Sequence, residues 1–344
     1  MKRPLIGITM GDPAGCGPEI TVKALRDPEL YRRCRPLVVG DAKMIEDSIR
    51  ILGAQELKVN RVSDPEEGSY RWGTIDVYHL DLVDMSRFEY GRVSAMCGEA
   101  AFQCVKTVIG LAMDGRIDAT VTNALNKEAI NLAGHHYSGH TEIYADLTKT
   151  DKYTMMLAHE DLRVVHVSTH VSLREACDRV KKDRVCDVIR IARDACLRLG
   201  IQSPRIGVAG LNPHAGENGL FGREEIEEII PALEQVRAEG IAAEGPIPPD
   251  SLFSKARGGW YDIVVAMYHD QGHIPLKVLG FVYDKEKGKW GAVSGVNITL
   301  GLPIIRSSVD HGTAFGHAGQ GVQNEISLVN AIDYAITLAE NQGK

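Results

Sequence analysis

The chain has 344 residues, 44% apolar and 25% charged, which suits two domains of ordinary size or one large one and excludes disorder throughout. Its net charge of −7 excludes a nucleic-acid binder that works through a broad basic surface. No run approaches the roughly 18 apolar residues of a membrane span, and seven cysteines with no C-x-x-C pair suit a reducing compartment, so a soluble cytoplasmic protein is expected.

Short apolar runs alternate with helical patterns, the α/β signature. Strands are predicted over residues 5–10, 36–39, 74–78, 119–122, 163–168, 205–209 and 262–267. Apolar spacing near 3.6 predicts a helix over 98–113. Ser172-Leu173-Arg174-Glu175 has the capping-box form and opens a long helix ending near Gly200. Amphipathic helices are also expected over 223–238 and 324–338. The polar stretch Y-D-K-E-K-G-K-W, residues 283–290, reads as an exposed loop or hairpin. The chain is expected to leave a first α/β domain near residue 130 and return near 300. That gives 1–130 plus 300–344 as one domain. The other would be 131–299.

The first strand runs into Gly11-Asp12-Pro13-Ala14-Gly15-Cys16-Gly17-Pro18-Glu19. Glycines here permit close approach of a ligand, and the helix start favours negative charge. A tight structural turn is an equal reading. Ile20 occupies the third glycine position of G-x-G-x-x-G and no G-K-[ST] is present, so neither dinucleotide nor P-loop fingerprint is complete.

Of the 12 histidines, three share one context: His170, His214 and His269 each follow an apolar strand. Ligands of open α/β sheets bind beyond the carboxyl ends of strands. Three imidazoles at three such ends suit one divalent ion with a position left open, as in catalytic zinc-type sites. The plainer alternative is that each caps a turn. His166, in mid-strand, reads as core. Ser138-Gly139-His140-Thr141-Glu142, before a helix, offers hydroxyls, imidazole and amides to a carboxylate or phosphate, or simply caps the helix. Lys277, Asn297 and Arg306 are further anion candidates, each also readable singly as a surface residue.

M-G-D-P-A-G-x-G-P-E (10–19), G-H-T-E (139–142), L-N-P-H-A-G-E (211–217), H-D-Q-G (269–272) and V-N-I-T-L-G-L-P-x-I-R-x-S-V-D-H-G-T-A (296–314) resemble the 4-hydroxythreonine-4-phosphate dehydrogenase family. The resemblance implies two α/β/α domains with a cleft between them, as in isocitrate and isopropylmalate dehydrogenases, the second (131–299) carrying most metal and substrate residues and the dimer contact, and a homodimer with a shared active site. It places His170, His214 and His269 at the metal positions, for one Zn, Co, Ni, Mn or Mg ion. His140, Thr141, Lys277, Asn297 and Arg306 fall at the substrate positions. His311, Gly312, Thr313 and Ala314 are similar to the adenine-side loop of the related enzymes, implying NAD or NADP.

Asn123-Ala124-Leu125-Asn126-Lys127 stands where vitamin B6 enzymes usually read G-P-V-H-K. With the 283–290 insertion, M-M-L-A-H-E (155–160) and Tyr268, this looks like the branch acting on 4-phospho-D-threonate or 4-phospho-D-erythronate. The reaction implied is oxidation of the C3 hydroxyl with loss of CO2, giving dihydroxyacetone phosphate. Lys277 is the candidate proton carrier and Asp270 its competitor, as an orienting partner of a ligand histidine. The runner-up is the B6 enzyme acting on 4-hydroxy-L-threonine 4-phosphate to give 3-amino-2-oxopropyl phosphate. A metal phosphohydrolase or a sugar-phosphate sensor comes third.

Overall fold

Leu5–Thr9 (L-I-G-I-T) is buried along its whole length, the pattern of a central strand in a parallel sheet covered on both faces. The structure, a computed structural model, describes residues 3–280, 283–284, 289–290 and 294–342. In chain order the strands are β1 (Leu5–Thr9), β2 (Arg35–Gly40), β3 (Lys58–Val62), β4 (Thr74–His79), β5 (Ala119–Thr122), β6 (Thr154–His159), β7 (Leu162–His166), β8 (Ile206–Ala209), β9 (Ala243–Ile247), β10 (Ile263–Ala266), β11 (Tyr283–Asp284), β12 (Lys289–Trp290), β13 (Val296–Leu300) and β14 (Arg306–Val309). The helices are α1 (Gly17–Leu25), α2 (Pro28–Arg33), α3 (Ala42–Ile51), α4 (Ala95–Met113), α5 (Lys127–Leu132), α6 (His140–Leu147), α7 (Leu173–Asp178), α8 (Lys182–Arg198), α9 (Ile230–Ala238), α10 (Pro249–Arg257), α11 (His269–Gly280) and α12 (Ile326–Glu340). No helix among the described residues is long and apolar enough to cross a membrane.

The chain forms two compact units. The first holds Met1–Asp151, Ala292–Val296 and Leu302–Glu340; the second holds Lys152–Gly291, Asn297–Gly301 and Asn341–Lys344. The chain thus leaves the first unit after Asp151 rather than near residue 130, because α5 and α6 both pack on α4.

In the first unit the strand order is β3-β4-β2-β1-β5-β14, with parallel pairing. One helix group joins α1 with α3 and α12, and a second joins α4 with α5 and α6. In the second unit the order is β13-β6-β7-β10-β8-β9. There β7, β10, β8 and β9 run parallel, and β6 forms an antiparallel hairpin with β7. Leu157, Val164, Leu252, Val264 and Leu276 form one core cluster of this unit, and α8 with α9 covers the same strands separately. Each fully buried aliphatic side chain of this kind contributes about 1.5–3 kcal/mol.

Two expectations are corrected. The long helix from Ser172 is two helices, α7 and α8. The Ser172 cap is present, its hydroxyl accepting the Glu175 N–H at 3.2 Å. The chain leaves the helix at 179–181 because Glu228 takes the Lys182 N–H at 2.7 Å and the Lys181 ammonium at 3.0 Å. The expected 223–238 helix begins as a π-helical turn, Glu225–Ile229, before α9. Strands β3, β6, β9, β13 and β14 were not expected. Of the 283–290 stretch, β11 and β12 pair as the two arms of an antiparallel hairpin, and 285–288 lies outside the described residues.

Candidate active site

The three histidines fall on neighbouring strands. β10 lies between β7 and β8, all parallel, with Val264 opposite Val164 and Gly207. Parallel neighbours are about 4.8 Å apart, so the loops leaving their carboxyl ends start side by side. His170 ends the loop after β7, His214 lies in the turn after β8, and His269 opens α11 directly after β10. Gln271 ties two of these loops together: its amide donates to the Gly210 carbonyl at 2.8 Å, and its oxygen accepts the Met267 N–H at 2.7 Å.

The His170 and His269 ring centres are 5.7 Å apart. Asp270 lies 2.7 Å from His269 Nδ1, which donates to the carboxylate and leaves Nε2 as a lone-pair donor. His273, one turn on, stacks on His269 at 3.6 Å, and its Nδ1 lies 2.9 Å from the His269 carbonyl. Burial, then the charges of neighbouring groups, brings His273 down to about 4. His166 is core, as expected, and burial brings it down to about 3. Lys277 is exposed on α11, two turns beyond His269. Thr169, His170, Tyr268, His269 and Asp270 line a cavity of about 430 Å³.

His214 lies in a turn of positive φ. Among the described residues, the one group of three potential ligands gathered within 4.8 Å is Asp41, His79 and Asp81. Lys43 already bonds Asp81 at 2.8 Å and lies 3.6 Å from Asp41 there, supplying the cation. The imidazole set of His170, His214 and His269 fits a borderline divalent ion by its chemistry, and one chain alone does not bring the three together.

Asn297, at the start of β13, donates to the Met155 sulfur at 2.8 Å and keeps a buried side-chain oxygen without a partner.

The other substrate candidates lie in the first unit. His140 and Thr141 are the first two residues of α6, whose free N–H groups favour an anion. His140 Nε2 is buried without a partner, and burial followed by the Arg306 charge holds its imidazole well below the usual range. Arg306, 3% exposed, lies with its guanidinium carbon 5.5 Å from the centre of the Tyr144 ring and donates to Thr122 Oγ1 at 2.9 Å. Burial brings it down to about 10, so it stays cationic at neutral pH. A helix N-terminus, a neutral imidazole and a buried guanidinium suit a phosphate.

His311 Nδ1 donates to the Gly312 carbonyl at 2.8 Å, leaving Nε2 a buried acceptor without a partner. Such an acceptor fits an amino group such as that of adenine. Thr313 and Ala314 follow, Ala314 in the left-handed region.

The Gly11–Glu19 loop is not an open anion cradle. Four of its amides are already bonded: Asp12 N to the Ala124 carbonyl, Ala14 N to Asp12 Oδ1, Gly15 N to the Asp12 carbonyl and Cys16 N to the Thr313 carbonyl. Glu19, 1% exposed, accepts the N–H groups of Gly319 and Gly321. The motif is a clamp on the 313–321 segment. Sequence reasoning passed over Glu19, Glu225, Gln271 and His273, because most of their partners are backbone groups that carry no residue-type signal.

The family model described as "Pyridoxal phosphate biosynthetic protein PdxA" matches residues 32–335. A D-threonate 4-phosphate dehydrogenase of Cupriavidus necator is 48% identical over 98% of this chain and 97% of its own length. A solved 4-hydroxythreonine-4-phosphate dehydrogenase from Burkholderia phymatum is 47% identical with TM-score 0.84, covering 98% of this chain and 99% of the other. One from Klebsiella pneumoniae is 45% identical with TM-score 0.85, covering 98% of each. Matched over nearly its whole length by sequence and by structure, this chain is a member of the PdxA family of dehydrogenases.

Proposed function

We propose that the chain oxidises the C3 hydroxyl of 4-phospho-D-threonate or 4-phospho-D-erythronate, with loss of CO2 to give dihydroxyacetone phosphate. The observation that carries this reading is the row of His170, His269 and His214 at the ends of adjacent strands β7, β10 and β8. The substrate class is supported by the name of the relative from Cupriavidus necator.

His170, His214 and His269 would hold one divalent ion, which would supply Lewis-acid polarisation of the substrate hydroxyl. His311, Gly312, Thr313 and Ala314 would hold the adenine side of NAD or NADP, which would supply the hydride acceptor. Arg306, His140 and Thr141 hold the phosphate. Asn297 offers a polar contact to the substrate. Lys277 takes the hydroxyl proton and returns a proton to the carbon that loses CO2. Asp270 orients His269 by its bond to Nδ1.

The active form is a homodimer in which a second copy completes the metal site. The His170 and His269 pair within one chain supports this, as do the exposed apolar side chains Leu173, Leu220, Ile274 and Val278 on the elements that carry the histidines.

The discriminating experiment measures kcat/KM on 4-phospho-D-threonate, 4-phospho-D-erythronate and 4-hydroxy-L-threonine 4-phosphate, with product identification. Dihydroxyacetone phosphate from the sugar-acid phosphates is expected. Preference for the aminated substrate, or phosphate release without NADH, overturns the proposal.

A further inference from the structure

The turn that presents His214 is built in a conformation that L-residues avoid. His214 to Asn218 all have positive φ, from 45° to 81°, and Gly216 is the one glycine among them. The steric penalty falls on each Cβ, so surrounding structure must over-determine the turn.

Glu225 supplies that constraint. It is 2% exposed and opens the π-helical turn Glu225–Ile229, a geometry frequent at functional sites. Its Oε1 accepts the N–H groups of Leu211 and Asn212, both at 2.8 Å, and its Oε2 accepts the Asn212 amide at 2.9 Å. A Cβ at Gly216 would lie 2.7 Å from Oε2, so the carboxylate fills the inside of the turn. The same strand end is held from the other side by Gln271 on the Gly210 carbonyl.

We infer that Glu225 is a positioning residue for His214: it locks the left-handed turn, presents the imidazole in one orientation, and thereby sets the metal affinity of the histidine centre. This rests on the reading of His214 as a metal position.

The test uses the full-length protein, stripped of metal by chelator and titrated with Co²⁺, followed by its visible absorption. E225A is expected to bind Co²⁺ about 10–100-fold more weakly, the usual loss when an outer support is removed, with NADH binding unchanged. Adding Ala215→Gly to E225A is expected to recover part of that affinity, because glycine takes positive φ without a Cβ penalty. Wild-type Co²⁺ affinity in E225A, or no recovery on adding Ala215→Gly, overturns the inference. Should E225A not accumulate as folded protein, E225D carries the same expectation, since its carboxylate falls one methylene short of the two amides. H214A separates the two readings. If H214A loses Co²⁺ and E225A does not, the Glu225 inference alone fails. If H214A binds Co²⁺ normally, the metal assignment fails.

Discussion

Arg306 is buried beside Tyr144 at the start of β14, close enough to His140 for its charge to depress that imidazole. A guanidinium binds phosphate through a planar fork, whereas an ammonium acts as a point charge. Arg306→Lys is therefore expected to lower kcat/KM for the phosphorylated acid about 10–100-fold, the loss of one charge-assisted hydrogen bond, with KM for NAD unchanged. An unaltered KM for the acid would remove Arg306 from the phosphate site. Asp12 makes a second residue-scale prediction. Burial pushes its carboxyl up to about 6 from 3.8, outweighing the backbone N–H groups of Ala14 and Asn126, which pull it down. The native state then holds this proton more tightly than the unfolded chain. Its contribution is present below about pH 4 and is lost as pH rises toward 6, at most about 1.4 kcal/mol per pH unit. Asp12→Asn is expected to remove that slope, making the variant relatively more stable above pH 6. Urea midpoints at pH 4, 5, 6 and 7 check this, and parallel curves for the two proteins would contradict it.

At the scale of elements, α4 and α5 touch backbone to backbone at Gly98, where a Cβ would overlap the Ala129 carbonyl. Gly98→Ala must separate the two helices and is expected to cost about 1–3 kcal/mol. Since the chain runs on from α5 to α6, which opens with His140, KM for the phosphorylated acid should rise as well. A thermal midpoint equal to wild type would show that the contact is not tight. Elements with continuous apolar runs, such as Ile263–Ala266, were legible in the sequence within a residue or two. Lys58–Val62 was not, because it carries three polar residues in five and lies at the end of the strand order. The break between α7 and α8 was hidden because Glu228, which causes it, lies about 46 residues further on. The histidine positions could be read from the strand-then-histidine pattern. Their adjacency could not, since the strand order β7-β10-β8 is a tertiary fact. The anion reading of Gly11–Glu19 failed for a similar reason: Glu19 bonds Gly319 and Gly321, 300 and 302 residues away.

For the whole molecule, a net charge of −7 gives no general attraction for an acid that carries both a carboxylate and a phosphate, so its negative groups must be met locally. If a second copy completes the metal site, H214A and H269A should each be inactive alone. Mixed and re-paired, they should regain about a quarter of wild-type activity, the share of intact sites in random dimers. No recovery would place all three histidines in one chain. The most direct test of the central claim is NADH absorbance on adding 4-phospho-D-threonate and NAD to the protein as purified, after removal of metal, and after reloading with a divalent ion. The account predicts NADH formation that disappears on metal removal and returns on reloading. Undiminished turnover in fully metal-free protein, or no NADH with metal supplied, would contradict it.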